Sequence, residues 1–349
     1  VQKIILNSLY GVLGLPVFRF YDIDNAEATT LTGQDLIKFT ETITNHYYNK
    51  ELGDKEDYCI YTDTDSVFYP ALPLVKKRYP DADVSNDEFM TEQILLVAKE
   101  VQDFINNGYN YFATKFLNVR GEHKFDIKQE CVAKSAFWVT KKRYGQWIIN
   151  DGGIKCDKLD VKGLDIVKSN FPPAMRDLMT KVLKDILADV DKEIIDEQIY
   201  EFKKKMKTLP IYDIASPTGV RGLNKYKNTQ RTKFKGKTIF TETRKGTPVH
   251  VKSALVYNDL LKHFGCNDSE PIRNNEKIKW VYMKQNPLGV VNIALKGYDD
   301  PDKILDFVEQ YIDRDKIFEG QLQKKINMFY DAMGWNFQAE KNENVGKFF

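Results

Sequence analysis

Hydrophobic residues change their spacing several times along the first part of the chain. Apolar residues recur at helical intervals over residues 1–14, and Pro16 predicts that this helix ends nearby. A second helix is predicted over about 26–49, with Asn25 as its N-cap. Residues 57–70 instead form two β-rich runs around a short polar cluster, which is typical of a hairpin.

The rest of the chain alternates between the same two patterns, separated by glycine- and proline-containing turns. The predicted elements are a helix over 87–118, strands over 123–150, a turn at 151–153, helices from Pro173 to about 206, a loop or irregular hairpin over 215–248, and helices over 249–263 and 302–334. This order predicts an α+β fold, in which an antiparallel sheet with helices is followed by a mostly helical domain.

Composition adds limited information about function. The 349 residues are 42% hydrophobic, and the net charge of +2 does not by itself indicate a nucleic-acid partner. The four cysteines form no CxxC pair, which argues against a zinc site or a disulfide framework and predicts reduced thiols in the cytoplasm. No apolar run is long enough to predict a membrane span.

The most informative short segment is Tyr-Thr-Asp-Thr-Asp-Ser at residues 61–66. Asp63 and Asp65 lie two residues apart at a predicted hairpin turn, where their carboxylates can point the same way. Two such anions repel each other unless a cation lies beside them, and Mg²⁺ is the usual cation for carboxylate and phosphate oxygens. The alternative is a solvated turn, because Asp and Thr both favour turns.

A second candidate lies on the first predicted helix. Lys3, Asn7, Tyr10 and Gly11 fall on one face of residues 3–11, opposite the apolar face. A cation for the phosphates, a flat aromatic ring for the base or sugar and a glycine that allows close approach suit an incoming nucleotide. An ordinary amphipathic surface helix remains the alternative.

Two basic stretches follow. Residues 140–144 read Thr-Lys-Lys-Arg-Tyr on a predicted strand, where lysines can also simply protect a sheet edge. Residues 220–245, the basic segment, contain nine basic residues and one acidic residue, Glu242, with interleaved aromatic rings. Such a segment favours binding along nucleic-acid phosphates, although a solvated basic loop would have the same composition.

Two of these motifs together resemble those of family B DNA polymerases. Residues 61–66 resemble the third polymerase motif, YxDTDS, and residues 3–11 resemble the second motif, KxxxNSxYG, in the family order. The resemblance implies a polymerase that uses two Mg²⁺ ions, with Asp65 as a direct metal ligand and Asp63 nearby. It also implies that Lys3 contacts the dNTP triphosphate, that Tyr10 contacts the nascent base pair, and that Asn7 lines the pocket.

The resemblance also gives roles to the basic stretches and to one more acid. Residues 141–144 resemble the KKRY-type motif that contacts the primer end, with Lys142 reaching the minor groove, and Glu130 is expected to support the metal site without binding the ions. In the basic segment we expect contacts with the phosphates of primer–template DNA. The expected DNA-binding residues are Lys141, Lys142, Arg143, Tyr144, Arg221, Lys225, Lys227, Arg231 and Lys233.

By the same resemblance, residues 1–14 are the last part of a fingers helix, 15–160 the palm, 161–340 the thumb and 341–349 a tail. Phe348 and Phe349 resemble the tail by which phage replicative polymerases hold a sliding clamp. The expected location is the cytoplasm, that of the bacterial host if the gene is phage-encoded.

One family motif is missing from the sequence. DxxSLYPS, whose aspartate is the other principal metal ligand, does not occur, and the chain begins with Val1 inside a predicted helix. We therefore expect an N-terminal polymerase and exonuclease part to supply the missing carboxylate, and we expect no polymerisation by this chain alone. The alternatives are a non-catalytic module that binds DNA and a clamp, or another palm enzyme such as a reverse transcriptase or nucleotide cyclase. The spaced aspartates of the DTDS sequence argue against a reverse transcriptase, which would have YxDD.

Overall fold

The computed structural model describes residues 2–234 and 237–337, without the side chains at positions 2, 3, 6, 7 and 228–239. The chain divides into two compact units. Unit 1 comprises the residues up to Lys134 together with Ile148–Lys158, and unit 2 comprises Ser135–Trp147 and the residues from Leu159 onward.

Unit 1 is built mainly from long helices around a small aromatic and aliphatic core, which includes Tyr48, Val75 and Val97. A single short hairpin interrupts the helices. The elements in chain order are α1 (Gln2–Leu13), α2 (Ile23–Leu52), β1 (Tyr61–Asp63), β2 (Ser66–Phe68), α3 (Leu72–Arg78) and α4 (Asp87–Tyr111), which continues as a π-helical turn, Phe112–Phe116.

The start of α2 corrects one prediction. Asp22, rather than Asn25, is the N-cap, because its Oδ1 accepts a hydrogen bond of 3.0 Å from the backbone N–H of Asn25. Asn25 instead lies in the first helical turn and donates its side-chain amide to Asp22 Oδ2. Both residue types favour N-caps, so composition alone does not distinguish the two positions. The helix ends at Gly53, whose φ of +82° is the left-handed conformation that glycine tolerates best.

A three-stranded sheet contributes residues to both units. Its strands are β3 (Cys131–Thr140), β4 (Arg143–Asp151) and β5 (Ile154–Lys162), in the order β3-β4-β5. The turn between β4 and β5 consists of Gly152 and Gly153, whose φ values of +59° and +87° match a type I′ hairpin. The sequence analysis predicted the turn but not β5, and it began the strands too early, because residues 121–130 are not in a strand.

Unit 2 surrounds a large apolar core. Besides its part of the three-stranded sheet, it contains a short 3₁₀ turn, Asp165–Val167, and the remaining elements. These are α5 (Pro173–Leu187), α6 (Lys192–Lys205), α7 (Ile211–Ile214), β6 (Ser216–Gly219), α8 (Leu223–Tyr226), β7 (Lys227–Phe234), β8 (Lys237–Thr243), α9 (Val249–His263), β9 (Lys277–Tyr282), β10 (Asn292–Leu295), α10 (Asp302–Tyr311), α11 (Arg314–Ile317), a π-helical turn (Phe318–Gln323) and α12 (Lys324–Met333).

A second small sheet in unit 2 was not predicted. Strands β10, β9 and β6 pair antiparallel in that order, and every residue of β10 is buried. Burial on both faces removes the alternation of polar and apolar residues by which a strand is recognised, so β10 could not be distinguished from buried helix. Residues 215–248, predicted as a loop or irregular hairpin, contain β6, α8 and the hairpin of β7 and β8, and the helix predicted over 249–263 is α9.

The mixture of helices with small sheets confirms the predicted α+β class. Across the described residues, no helix is long and apolar enough to cross a bilayer. The assignment of residues 1–14, 15–160, 161–340 and 341–349 to fingers, palm, thumb and tail stays a prediction.

Candidate functional site

The two candidate aspartates lie at the tip of the hairpin formed by β1 and β2, which we call the aspartate hairpin. Asp63 pairs with Ser66, so Thr64 and Asp65 form a two-residue turn. The backbone N–H of Asp65 donates to the carbonyl of Asp63 at 2.7 Å, and the φ of Thr64 is +58°. This is a γ-turn with positive φ, a rare and strained conformation, and a β-branched residue makes it more costly. Such strain, of about 1–3 kcal/mol, tends to occur where function requires a fixed geometry.

The two carboxylates have different surroundings. Asp63 is half-buried, and its Oδ1 accepts a hydrogen bond from the Thr64 hydroxyl at 3.0 Å. The Asp63 carbonyl also accepts from the Ser66 hydroxyl at 3.1 Å, which fixes the turn further. Asp65 is exposed, so its oxygens are accessible to a cation without the cost of opening the fold.

Packing from α2 supports the base of the aspartate hairpin. The Tyr69 hydroxyl, just beyond β2, donates to the carbonyl of Glu41 at 3.0 Å, and the Tyr69 ring stacks on Tyr48 at 5.4 Å. The ring of Tyr58, just before β1, also packs against Tyr48, with ring centroids 5.1 Å apart. A hydrogen bond to the carboxylate of Asp54 raises the pKa of Tyr58 to about 12 and ties this ring to the end of α2. The turn therefore rests on a fixed base.

The nucleotide-binding candidates lie on α1. The Tyr10 hydroxyl is 2.7 Å from Thr30 Oγ1 on α2, which anchors the ring beside a cleft of about 370 Å³. Gly11 also lines this cleft, and a Cβ there would meet no atom within 4 Å. Lys3 and Asn7 belong to α1, but their side chains lie outside the described part of the structure.

Glu130 lies just before β3 in unit 1. Its backbone carbonyl accepts a hydrogen bond of 2.8 Å from Gly152 N–H, and its side chain is exposed. Among the side chains that the structure describes, no group of three or more histidine, cysteine, aspartate and glutamate residues could hold a metal ion. The supporting role of Glu130 near the metal ions stays a prediction.

The basic residues of the KKRY-like motif belong to unit 2. Lys141 and Lys142 form the two-residue turn between β3 and β4, which we call the lysine turn, and both are exposed. Tyr144 is different, because it is only 7% exposed and its ring stacks on Trp138 at 6.0 Å. The Arg143 guanidinium forms an ion pair with Asp165 at 2.9 Å.

The basic segment is partly described. Arg221, Lys225 and Lys227 are exposed around α8, and the hairpin of β7 and β8 follows. Asp259 on α9, which is buried, accepts from Thr241 N–H at 2.6 Å and thereby anchors β8. The side chains of Arg231 and Lys233 lie outside the described residues, as do Phe348 and Phe349 at the end of the chain.

The sequence matches the family model for DNA polymerase family B over residues 1–75 and 93–332, which include both the aspartate hairpin and the lysine turn. The chain belongs to DNA polymerase family B. The predicted family is thereby confirmed.

Two phage proteins are similar to this family B chain along almost all of it. It is 25% identical to the DNA-directed DNA polymerase of Enterobacteria phage T4, and the alignment covers 97% of this chain and 37% of that protein. The corresponding enzyme of Escherichia phage RB69 is 26% identical with the same coverage. The DNA polymerase delta catalytic subunit of Candida albicans is 30% identical over 54% of this chain and 16% of its own length. The chain thus spans little more than a third of the phage relatives.

The structure brings the predicted residues together in two groups. Asp63 and Asp65 share one turn in unit 1, and Lys141–Tyr144 share one hairpin in unit 2. The sequence analysis missed Asp165, the partner of Arg143. The available signal was an aspartate two residues after Gly163, but the sequence does not indicate what that carboxylate faces.

Proposed function

We propose that this chain is the C-terminal part of a DNA-directed DNA polymerase that adds dNTPs to a primer 3′-OH. The observation that carries the proposal is the aspartate hairpin, with its strained turn and exposed Asp65, in a chain that belongs to family B. The chain would contribute one of the two carboxylate groups that a two-metal site requires.

The donor set suits Mg²⁺ as part of a site. Carboxylate oxygens are preferred magnesium ligands, and magnesium usually takes one or two carboxylates from the protein with water and substrate phosphates completing its shell. Asp65 would bind directly, and Asp63, which is held by Thr64, would lie beside it. When bound, Mg²⁺ would neutralise the triphosphate and favour ionisation of the primer hydroxyl.

The chain's other residues would bind and orient the substrates. Tyr10 would present its ring to the nascent base pair, while Lys3 and Asn7 on the same helix would bind the incoming dNTP. Lys141 and Lys142 would contact the primer end, where minor-groove acceptors are similar for every correct base pair. The basic segment would hold duplex phosphates, which positions DNA without reading sequence.

A partner part is also proposed. Because DxxSLYPS is absent from this sequence, the first carboxylate would come from an N-terminal polymerase and exonuclease part, and this chain alone would be inactive. The C-terminal Phe348 and Phe349 would bind a sliding clamp. The enzyme would act in the cytoplasm, that of the host cell if it is encoded by a phage.

Primer extension with Mg²⁺ and dNTPs tests this function. The chain would be assayed alone and after joining to the N-terminal part of a phage family B polymerase, each as wild type and as Asp65→Asn. Asp81→Asn is the matched control, since Asp81 is an exposed aspartate in a turn of unit 1. Duplex binding would be followed in parallel by fluorescence anisotropy.

We expect extension only from the joined enzyme. Asp65→Asn should abolish it and leave duplex binding nearly unchanged, while Asp81→Asn should alter neither. Extension by the joined enzyme with Asp65→Asn would mean that Asp65 is dispensable. That result would favour the alternative in which this chain only binds DNA and a clamp. Asp65-dependent extension by the chain alone would mean that its metal site is complete and that no partner carboxylate is required.

A further inference from the structure

The lysine turn is fixed from one side by backbone contact. Gly163, just after β5, has a φ of +66°, and a Cβ at this position would lie 2.0 Å from the carbonyl oxygen of Lys142. Lys142 itself has a φ of +62°. The two backbones therefore touch at a position where no larger residue fits, and the turn cannot move toward Gly163.

The other restraint comes from Asp165, whose side chain is 13% exposed. Its Oδ2 accepts from Arg143 Nη2 at 2.9 Å and from Lys325 Nζ at 2.9 Å. Its Oδ1 accepts from Lys168 Nζ at 2.8 Å. One mostly buried carboxylate thus satisfies three cations, and Arg143 is the residue that directly follows the lysine turn.

Asp165 also joins the turn to the last described helix. Lys325 belongs to α12, and four residues later Phe329 packs edge-on against Phe137 of β3 at 5.5 Å. Two independent contacts, one ionic and one aromatic, therefore hold α12 against the hairpin that carries the lysine turn. Ion pairs around such a carboxylate add little net stability, but removing the carboxylate is costly because its cations are left unpaired.

Geometry matters here because of the side chains that the turn presents. Long lysine side chains lose conformational entropy when they bind DNA, and a mobile turn would lose backbone entropy in addition, which would weaken binding. We propose that Asp165 is a positioning residue, which through Arg143 and Lys325 fixes the turn that presents Lys141 and Lys142 to duplex DNA. The proposal rests on the proposed function, and it gives Arg143 a supporting role rather than a direct DNA contact.

The test measures binding of a fluorescent primer–template to the chain. Asp165→Asn keeps the shape of the side chain and removes one negative charge. By electrostatics alone this change should strengthen binding to DNA, since net positive charge increases. Positioning predicts the opposite, a loss of affinity of about tenfold, which is the value of roughly one charged hydrogen bond.

Asp196→Asn is the matched control, because Asp196 is a partly buried carboxylate of unit 2 that bonds Lys192 and Tyr330. Its affinity should stay the same or increase slightly. Asp165→Glu, which retains the charge, should recover part of the lost affinity. Lys325→Gln is a second variant in case Asp165→Asn does not fold, as judged by tryptophan fluorescence. It should weaken binding more than Lys324→Gln does, because Lys324 is an exposed lysine of the same helix and its loss changes the charge equally.

A double-mutant cycle with Lys142→Ala separates positioning from general stability. In the Lys142→Ala background, Asp165→Asn should cause little further loss, since the two changes act through the same contact. Equal losses in both backgrounds, or unchanged affinity for Asp165→Asn, would overturn the positioning role. If Lys142→Ala alone binds as tightly as the wild type, the DNA contact assigned to the lysine turn is wrong and the positioning role is overturned with it.

Discussion

The replacement Gly163→Ala puts the close approach of two backbones to a direct test. The φ of +66° at this position costs an L-residue about 1–2 kcal/mol. The new Cβ would also lie 2.0 Å from the Lys142 carbonyl oxygen and 3.3 Å from Arg143 Cγ. The nearest atom belongs to backbone and cannot rotate away, so the turn itself must shift.

The expected size of the effect follows from these two terms. Forcing an extra carbon into a packed site costs about 1–3 kcal/mol, so the total should be about 2–5 kcal/mol. That is a large share of the roughly 5–15 kcal/mol by which domains are stable. With typical urea dependence, the unfolding midpoint should fall by about 1 M or more.

Urea unfolding monitored by tryptophan fluorescence measures this effect in the relevant unit. All four tryptophans, Trp138, Trp147, Trp280 and Trp335, belong to unit 2, so the signal reports that unit rather than an average over the chain. This matters because a chain with two compact units need not unfold in one step.

Gly265→Ala is the matched control. Gly265 also lies in unit 2 and has a φ of +68°, but a Cβ there would meet no atom within 4 Å. Only the backbone term applies, so we expect a loss of about 1–2 kcal/mol. Equal midpoints for the two alanine variants would show that the contact between Gly163 and Lys142 does not exist, and the account of the fixed lysine turn would have to be abandoned.

Two further predictions concern charge. Lys225→Ala combined with Lys227→Ala should reduce the slope of log DNA affinity against log salt concentration by about 2. Lys204→Ala combined with Lys205→Ala on α6 should leave this slope unchanged. Equal slopes for the two double variants would place the phosphate contacts elsewhere. Burial raises the pKa of Asp165, but hydrogen bonds from Lys168 and Lys325 outweigh it and lower the pKa from its ordinary 3.8. Above that value, the free energy of unfolding of unit 2 should therefore exceed that of Asp165→Asn by the full amount, and the difference should decline as the pH falls further. Unfolding measured over a series of acid pH values tests this. A difference that does not change with pH would contradict the ionised pair.

Much of the local structure was predictable because it depends on short-range properties. Helical spacing located α1, α4 and α9, and the polar cluster between two β-rich runs located the aspartate hairpin. Within residues 215–248, where a loop or an irregular hairpin was predicted, β7 and β8 form a hairpin. In each case, propensity and spacing within about thirty residues determine the result.

The features that were not predicted from the sequence have a different origin. Strand β10 is buried on both faces and shows no alternation, and β5 is recognisable mainly by its pairing with β4. The N-cap of α2 required knowing which of two cap-forming residues accepts the hydrogen bond. These features depend on neighbours that periodicity does not identify.

The sequence by itself determined the family, the α+β class and the residues that carry charge at the two hairpin turns, because motif order and side-chain chemistry are local properties of the chain. Tertiary structure decided how those turns are held. Asp165 is 22 residues from Arg143 and 160 from Lys325, and only the fold brings one carboxylate to both cations. Likewise, position 163 requires glycine because a Cβ there would lie 2.0 Å from the carbonyl oxygen of Lys142, which is 21 residues earlier in the chain. Contacts of this kind arise from packing in three dimensions, which spacing along the chain does not encode.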